Sequence, residues 1–153
     1  MSLVSCITAD MQYSMMTSDC EDKAANLTAK LKNITEQGAE LGKVIAGLDT
    51  NLDSIKSAAR GLKNLEYEAC SSRNPDAQNV LSEIRGRMAY DEQEYYRLYE
   101  VKQQKEAEKR SLASKEKELT AQQKANEVMM KFATAASEKF GKMVDPAIKR
   151  FFA

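Results

Sequence analysis

Histidine and tryptophan are absent from this 153-residue chain, and it has only two prolines, six glycines and three cysteines. The missing histidine removes the commonest general base and the commonest metal ligand. The E-x-x-H pairing used by di-iron helical bundles cannot occur either. The chain has no P-loop, no G-x-G-x-x-G and no serine or cysteine with a plausible partner base. Glu92 and Glu94 lie beside Tyr95, but residues two apart on a helix do not face each other. The expectation is a protein that is not an enzyme, with no catalytic residue, cofactor or metal site.

Cys6, Cys20 and Cys70 are odd in number and form no C-x-x-C pair, so neither a disulfide framework nor a zinc site is expected. They should pack as small apolar groups. The 23 basic and 23 acidic residues cancel, which argues against nucleic acid as a partner, since binding it requires a concentrated positive surface. Aromatic residues make up only 7% of the chain; long helices that each bury one stripe suit this composition better than an ordinary core. No run of about 18 apolar residues is present to span a membrane. The opening MSLVSCITADMQY lacks basic residues ahead of its apolar ones and does not read as a secretory signal. The expected location is cytoplasmic, or outside the cell after export without a cleaved signal peptide.

The chain does carry a heptad repeat. At alternating spacings of four and three come Leu27, Leu31, Ile34, Gly38, Leu41, Ile45, Leu48, Leu52, Ile55, Ala59, Leu62, Glu66 and Ala69. A period of 3.5 residues drifts off the face of a straight helix, so it marks a seam that follows a partner helix along its length. The expected hairpin seam is Leu27, Leu31, Ile34, Leu41, Ile45, Leu48, Leu52, Ile55 and Leu62.

The predicted fold is all-α, a long antiparallel helical hairpin (a coiled coil) forming one domain over 1–153. Residues 1–17 read as a short N-terminal helix with Leu3, Val4, Ile7, Met11, Met15 and Met16 on one face. Ser18 with Glu21 reads as a capping box that opens the first long helix, 19–70. A turn at 71–75 follows, with Asn74 as N-cap and Pro75 in the first helical position. Such a short connection makes antiparallel neighbours. The second long helix, 75–144, continues the seam through Ala77, Leu81, Ile84, Met88, Tyr95 and Leu98, and Asp145-Pro146 opens a last turn of helix at 145–153. The N-terminal helix should pack near the C-terminal segment.

Several features point to contacts beyond the hairpin. Gly38 and Gly42 share a helical face, where each glycine costs about 1 kcal/mol relative to alanine, and the small residues around them leave room for a further helix. The C-terminal segment is rich in flexible and aromatic side chains, with Met129, Phe132, Phe140, Met143, Phe151 and Phe152 as candidate assembly contacts. Shallow membrane contact through this end is the less favoured use of it. Residues 102–124 are densely charged with both signs and read as a solvated face held by Leu112 and Leu119. Of Tyr90, Tyr95, Tyr96 and Tyr99, two are expected to pack on the first helix.

The expected function is that of a structural subunit of a homo-oligomeric assembly, a filament or tube. In layout, over most of the chain, this resembles the needle, filament and flagellin-type subunits of type III export systems. Those pair N- and C-terminal helices and carry uncleaved export signals, so export machinery is a possible further partner. No motif matches residue by residue, and the three cysteines and unbroken hairpin depart from flagellins. The alternative is a coiled-coil adaptor or export-chaperone stalk that binds a different protein.

Overall fold

In a computed structural model of the chain, two helices account for nearly every residue: α1 (Leu3–Ser71) and α2 (Ala77–Phe152). The structure describes the backbone of residues 2–152, and the side chains of all of these except Ala147, Lys149, Phe151 and Phe152. Among the described residues there is no strand, and no helix is long and apolar enough to cross a membrane. The two helices pack against each other as a hairpin.

The turn is built as its residues dictate. Asp76 donates its backbone N–H to the Asn74 side-chain carbonyl at 3.0 Å, and Asn74 donates its own to the Ser72 hydroxyl at 3.2 Å. The Asn74 main-chain carbonyl accepts the Ala77 N–H at 3.0 Å. An asparagine that satisfies the free amides of a helix start is the standard N-cap solution.

Two expected boundaries are absent. Ser18 and Glu21 do not open a helix; α1 already runs from Leu3 through them. Pro146 does not restart α2, which continues through it to Phe152. The first difference arises because α1 contains no proline and its terminal third has a partner on α2. The mid-helix hydroxyls are also reconciled with the helix: Thr8, Thr17, Thr35, Thr50 and Ser54 each donate back to the carbonyl four residues earlier. The second arises because proline already has a helical φ, so at the exposed Pro146 near the helix end its cost is confined to one missing hydrogen bond and crowding of the preceding turn.

Burial follows the heptads closely. From Leu27 to Ala69 the residues that are not exposed are the thirteen at four-and-three spacing, together with Gly42 and Asp49 beside them. The same alternation continues back to Leu3 through Ala24, Cys20, Thr17, Tyr13, Asp10 and Cys6. On α2 it runs from Ala77 to Val144, interrupted only at the exposed Lys109 and Glu116.

The chain divides into two compact units. The terminal unit comprises Met1–Glu36 with Ala113–Ala153, and the central unit comprises Gln37–Leu112.

In the central unit, the turn end is the better packed, with Leu52, Ala77, Leu81 and Ile84 buried. Farther from the turn the seam is lopsided. α1 contributes Leu41, Ile45 and Leu48, whereas the seam positions of α2 there are Lys102, Lys105 and Lys109. Lysine stems can cover apolar surface only partly, and the three α1 residues stay half-buried. Lys102 is bonded to Asp49 and lies near Glu106. The Asp49 hydrogen bond holds its ammonium above the usual lysine range, against the opposing effect of desolvation. Glu94 is held below the usual carboxylate range by its hydrogen bonds from Arg97. Gly38 occupies a seam position with nothing within 4 Å of where a Cβ would stand, and Gly42 would meet only the Lys109 Nζ at 3.6 Å. The glycines are thus not sites of close approach within the hairpin.

Two predictions follow from this packing. Gly38→Ala should raise the free energy of unfolding by about 0.5–1 kcal/mol, because a helix-interior glycine is replaced where there is room; a lower thermal midpoint would contradict the open geometry. The stability contributed by Glu94 is present above the ordinary carboxylate range and lost as pH falls through its lowered value. That of Lys102 is present below the ordinary lysine range and lost as pH rises through its raised value. With no histidine between them, the thermal midpoint should stay nearly flat from about pH 5 to 8, and a sigmoidal step inside that window would disprove the assignment.

Candidate interaction surface

The terminal unit holds the features that the sequence marks for interaction. Writing the heptad as abcdefg with a and d on the seam, Leu3, Asp10, Thr17 and Ala24 of α1 are a positions, and Cys6, Tyr13, Cys20 and Leu27 are d. On α2, Met130, Ser137 and Val144 are a, and Asn126, Ala133 and Phe140 are d.

The seam of this unit is unusually polar. Asn126 is 4% exposed and donates its side-chain amide to the Cys20 carbonyl at 2.8 Å. One heptad and a half farther along, the Ser137 hydroxyl donates to the Asp10 carboxylate at 2.8 Å, and its oxygen lies 3.0 Å from the Ser14 hydroxyl. Ser137 has a single proton and the carboxylate takes it, so Ser14 is the donor in the second bond. Between these contacts Tyr13 stacks on Phe140 (5.8 Å, 5° between planes) and meets Phe132 edge-on (5.8 Å, 80°). Cys6, Cys20, Leu27, Ala133 and Val144 complete the buried part. Cys70, in the central unit, is exposed, so the expectation of a packed thiol fails there; its sulfur accepts from Arg85 at 3.9 Å.

Outside this seam the apolar side chains point away from the hairpin. The face expected to be buried in the N-terminal helix divides in two. Leu3 and Met16 are half-buried, whereas Val4, Ile7, Met11 and Met15 are exposed, Val4 by 73%. These four occupy b, e, b and f positions and form one stripe along α1. On α2, Val128, Met129, Phe132 and Met143 are exposed, Phe132 by 60%, at f, g, c and g positions. In an antiparallel pair, e positions flank e positions and g positions flank g. Ser14 and Gly141, both e, lie on one edge, against Ser137 and Asp10 respectively. Phe132, at c, reaches Tyr13 from the other. The α1 stripe therefore follows one edge of the seam and the α2 stripe the opposite edge.

Of the expected assembly residues, Met129, Phe132 and Met143 lie on the α2 stripe, while Phe140 is half-buried beneath it against Tyr13. Gly38 and Gly42 lie in the central unit and belong to neither stripe. The side chains of Phe151 and Phe152 fall outside the described residues. Of the four clustered tyrosines, Tyr95 alone is half-buried, rather than two; Tyr90, Tyr96 and Tyr99 are exposed. No known protein family, curated protein or solved structure matches the chain. Among the described residues, no group of three or more acidic, cysteine or histidine side chains is arranged to hold a metal ion.

Tyr13, Asp10, Ser137 and Asn126 are absent from the sequence-based expectations. Counting back from Leu27 in threes and fours reaches Cys20, Tyr13 and Asp10 without a skip, so spacing alone could have found the first two.

Asn126 has the features of a register pin, since a single polar seam residue with one matching acceptor disfavours slipped pairings. We predict that Asn126→Leu leaves the thermal midpoint unchanged or higher but gives doubled amide resonances for residues near Cys20. A single set of resonances would contradict a register role.

Proposed function

We propose that this protein is a structural subunit that assembles with copies of itself into a filament or tube through its terminal unit, the helices packing as a coiled coil. The observation that carries this reading is the pair of apolar stripes on opposite edges of one seam. Soluble surfaces carry scattered apolar side chains without consequence, but contiguous stripes in Met and Phe mark contact sites. A single stripe would satisfy a closed dimer. Two stripes facing different ways give each copy two unlike neighbours, and such heterologous contacts propagate unless their rotation closes. The half-covered leucines of the central unit give a second reason for lateral neighbours. Placement in the cytoplasm, or outside the cell after export by a route that leaves the N-terminus uncleaved, is part of this proposal; so is the absence of nucleic acid among the partners.

The experiment is negative-stain microscopy with light scattering on the untagged protein across a concentration series. Filaments or tubes are expected. Met11→Glu and Phe132→Glu should each raise the concentration needed for assembly by tenfold or more, since burying one such side chain is worth about 1.5–3 kcal/mol, with helicity by circular dichroism unchanged. A monodisperse monomer at all concentrations would replace this reading with that of an adaptor for a different protein.

A further inference from the structure

The central unit has an open groove of about 580 Å³ between the helices, with Ile55, Ala59, Met88 and Ala89 as its apolar surface and Tyr95 and Tyr96 at one end. We propose that this groove receives the α1 stripe (Val4, Ile7, Met11 and Met15) of a second copy. The inference rests on the self-assembly reading and specifies which surfaces meet.

Three observations carry it. The first is length. Val4 to Met15 is eleven helical steps, and so is Ile55 to Glu66, the stretch of α1 along which the groove runs; at 1.5 Å per step each is about 17 Å. The second is side-chain size. Alanines at 59 and 89 leave the trough open, and flexible methionines fit such irregular space and pack well on tyrosine rings. The third is charge. Arg85 already bridges Glu66 at 3.4 Å, Arg87 bridges Asp91 at 3.3 Å, and Lys56 lies over the Tyr95 ring at 5.7 Å. Residues 2–18 carry a single acidic side chain and no basic one. That one, Asp10, is bonded to Ser137 in its own seam. An uncharged stripe therefore covers this groove without depriving Glu66, Asp91 or Lys56 of its partner, while the exposed Glu92 carboxylate also lines the groove. A charged amphipathic helix would have to compete for them. Stripe and groove are different surfaces, so each copy offers one and accepts one, and the contact is heterologous.

The test places a photoreactive benzoylphenylalanine at position 11 of the full chain, in an equal mixture of isotopically light and heavy protein. Irradiation at an assembling concentration should give mixed light–heavy adducts within residues 55–59 and 85–96. Ala89→Arg in the same chain changes an exposed helical position to another good helix former, and circular dichroism checks that folding is intact. It should lower the yield of those adducts at least tenfold and raise the assembling concentration. Assembly that persists with adducts falling on residues 113–153, or with yields indifferent to Ala89→Arg, overturns the docking while leaving self-assembly standing. No assembly and no mixed adducts overturns both.

Discussion

Everything in this protein depends on the commitment of both helices to a period of 3.5 residues. α1 holds it from Leu3 to Ala69 and α2 from Ala77 to Val144. Such a period confines burial to one narrow seam, and about five residues in seven are left outside it. A two-helix arrangement buries little per residue, and here few side chains are well buried. The fold is consequently specified far more by where its seam runs than by the depth of any core.

The two units use this seam differently. The central unit builds its turn end with leucine, isoleucine and alanine, then hands the covering of α1 leucines to lysine stems. The terminal unit places hydroxyls, a carboxylate and an amide in the seam and puts much of its aliphatic surface outside. A polar seam gives little hydrophobic stabilisation but strong positional preference, because each donor has one acceptor at the correct offset. The apolar surface so released is available to neighbours. Specificity inside and free apolar surface outside is the division that the proposed assembly would require of its building block.

The helical hairpin was legible because leucine and isoleucine mark the seam over 27–69 and Asn74-Pro75 marks the turn. The terminal unit was not legible by the same route. Hydrophobicity alone selects Val4, Ile7, Met11 and Met15 as the inward face, yet the seam passes through Cys6, Asp10, Tyr13 and Thr17, half of them polar in type. Local capping rules also overreached. Ser18–Glu21 and Asp145-Pro146 are competent helix starts, but a cap lowers the energy of an end without creating one; pairing with α2 carries α1 through the first, and the second lies at an exposed helix end where proline is tolerated. The glycines show the reverse difficulty: Gly38 and Gly42 suggested close approach, yet inside the hairpin only the flexible end of Lys109 comes near Gly42 and nothing comes near Gly38.

The separation of paired residues along the chain has a kinetic consequence. Arg85 meets Glu66 across 19 residues, whereas Ser137 meets Asp10 across 127. Closing the shorter loop costs less conformational entropy, and helices joined by a capped turn can zip from it outward. On this ground the turn end is expected to form early, and the pairing of the terminal segments last. The same order run backwards makes the termini the first segment to fray. A growing polymer that captured the terminal helix while it was still loose would complete the fold of each subunit in the act of incorporating it.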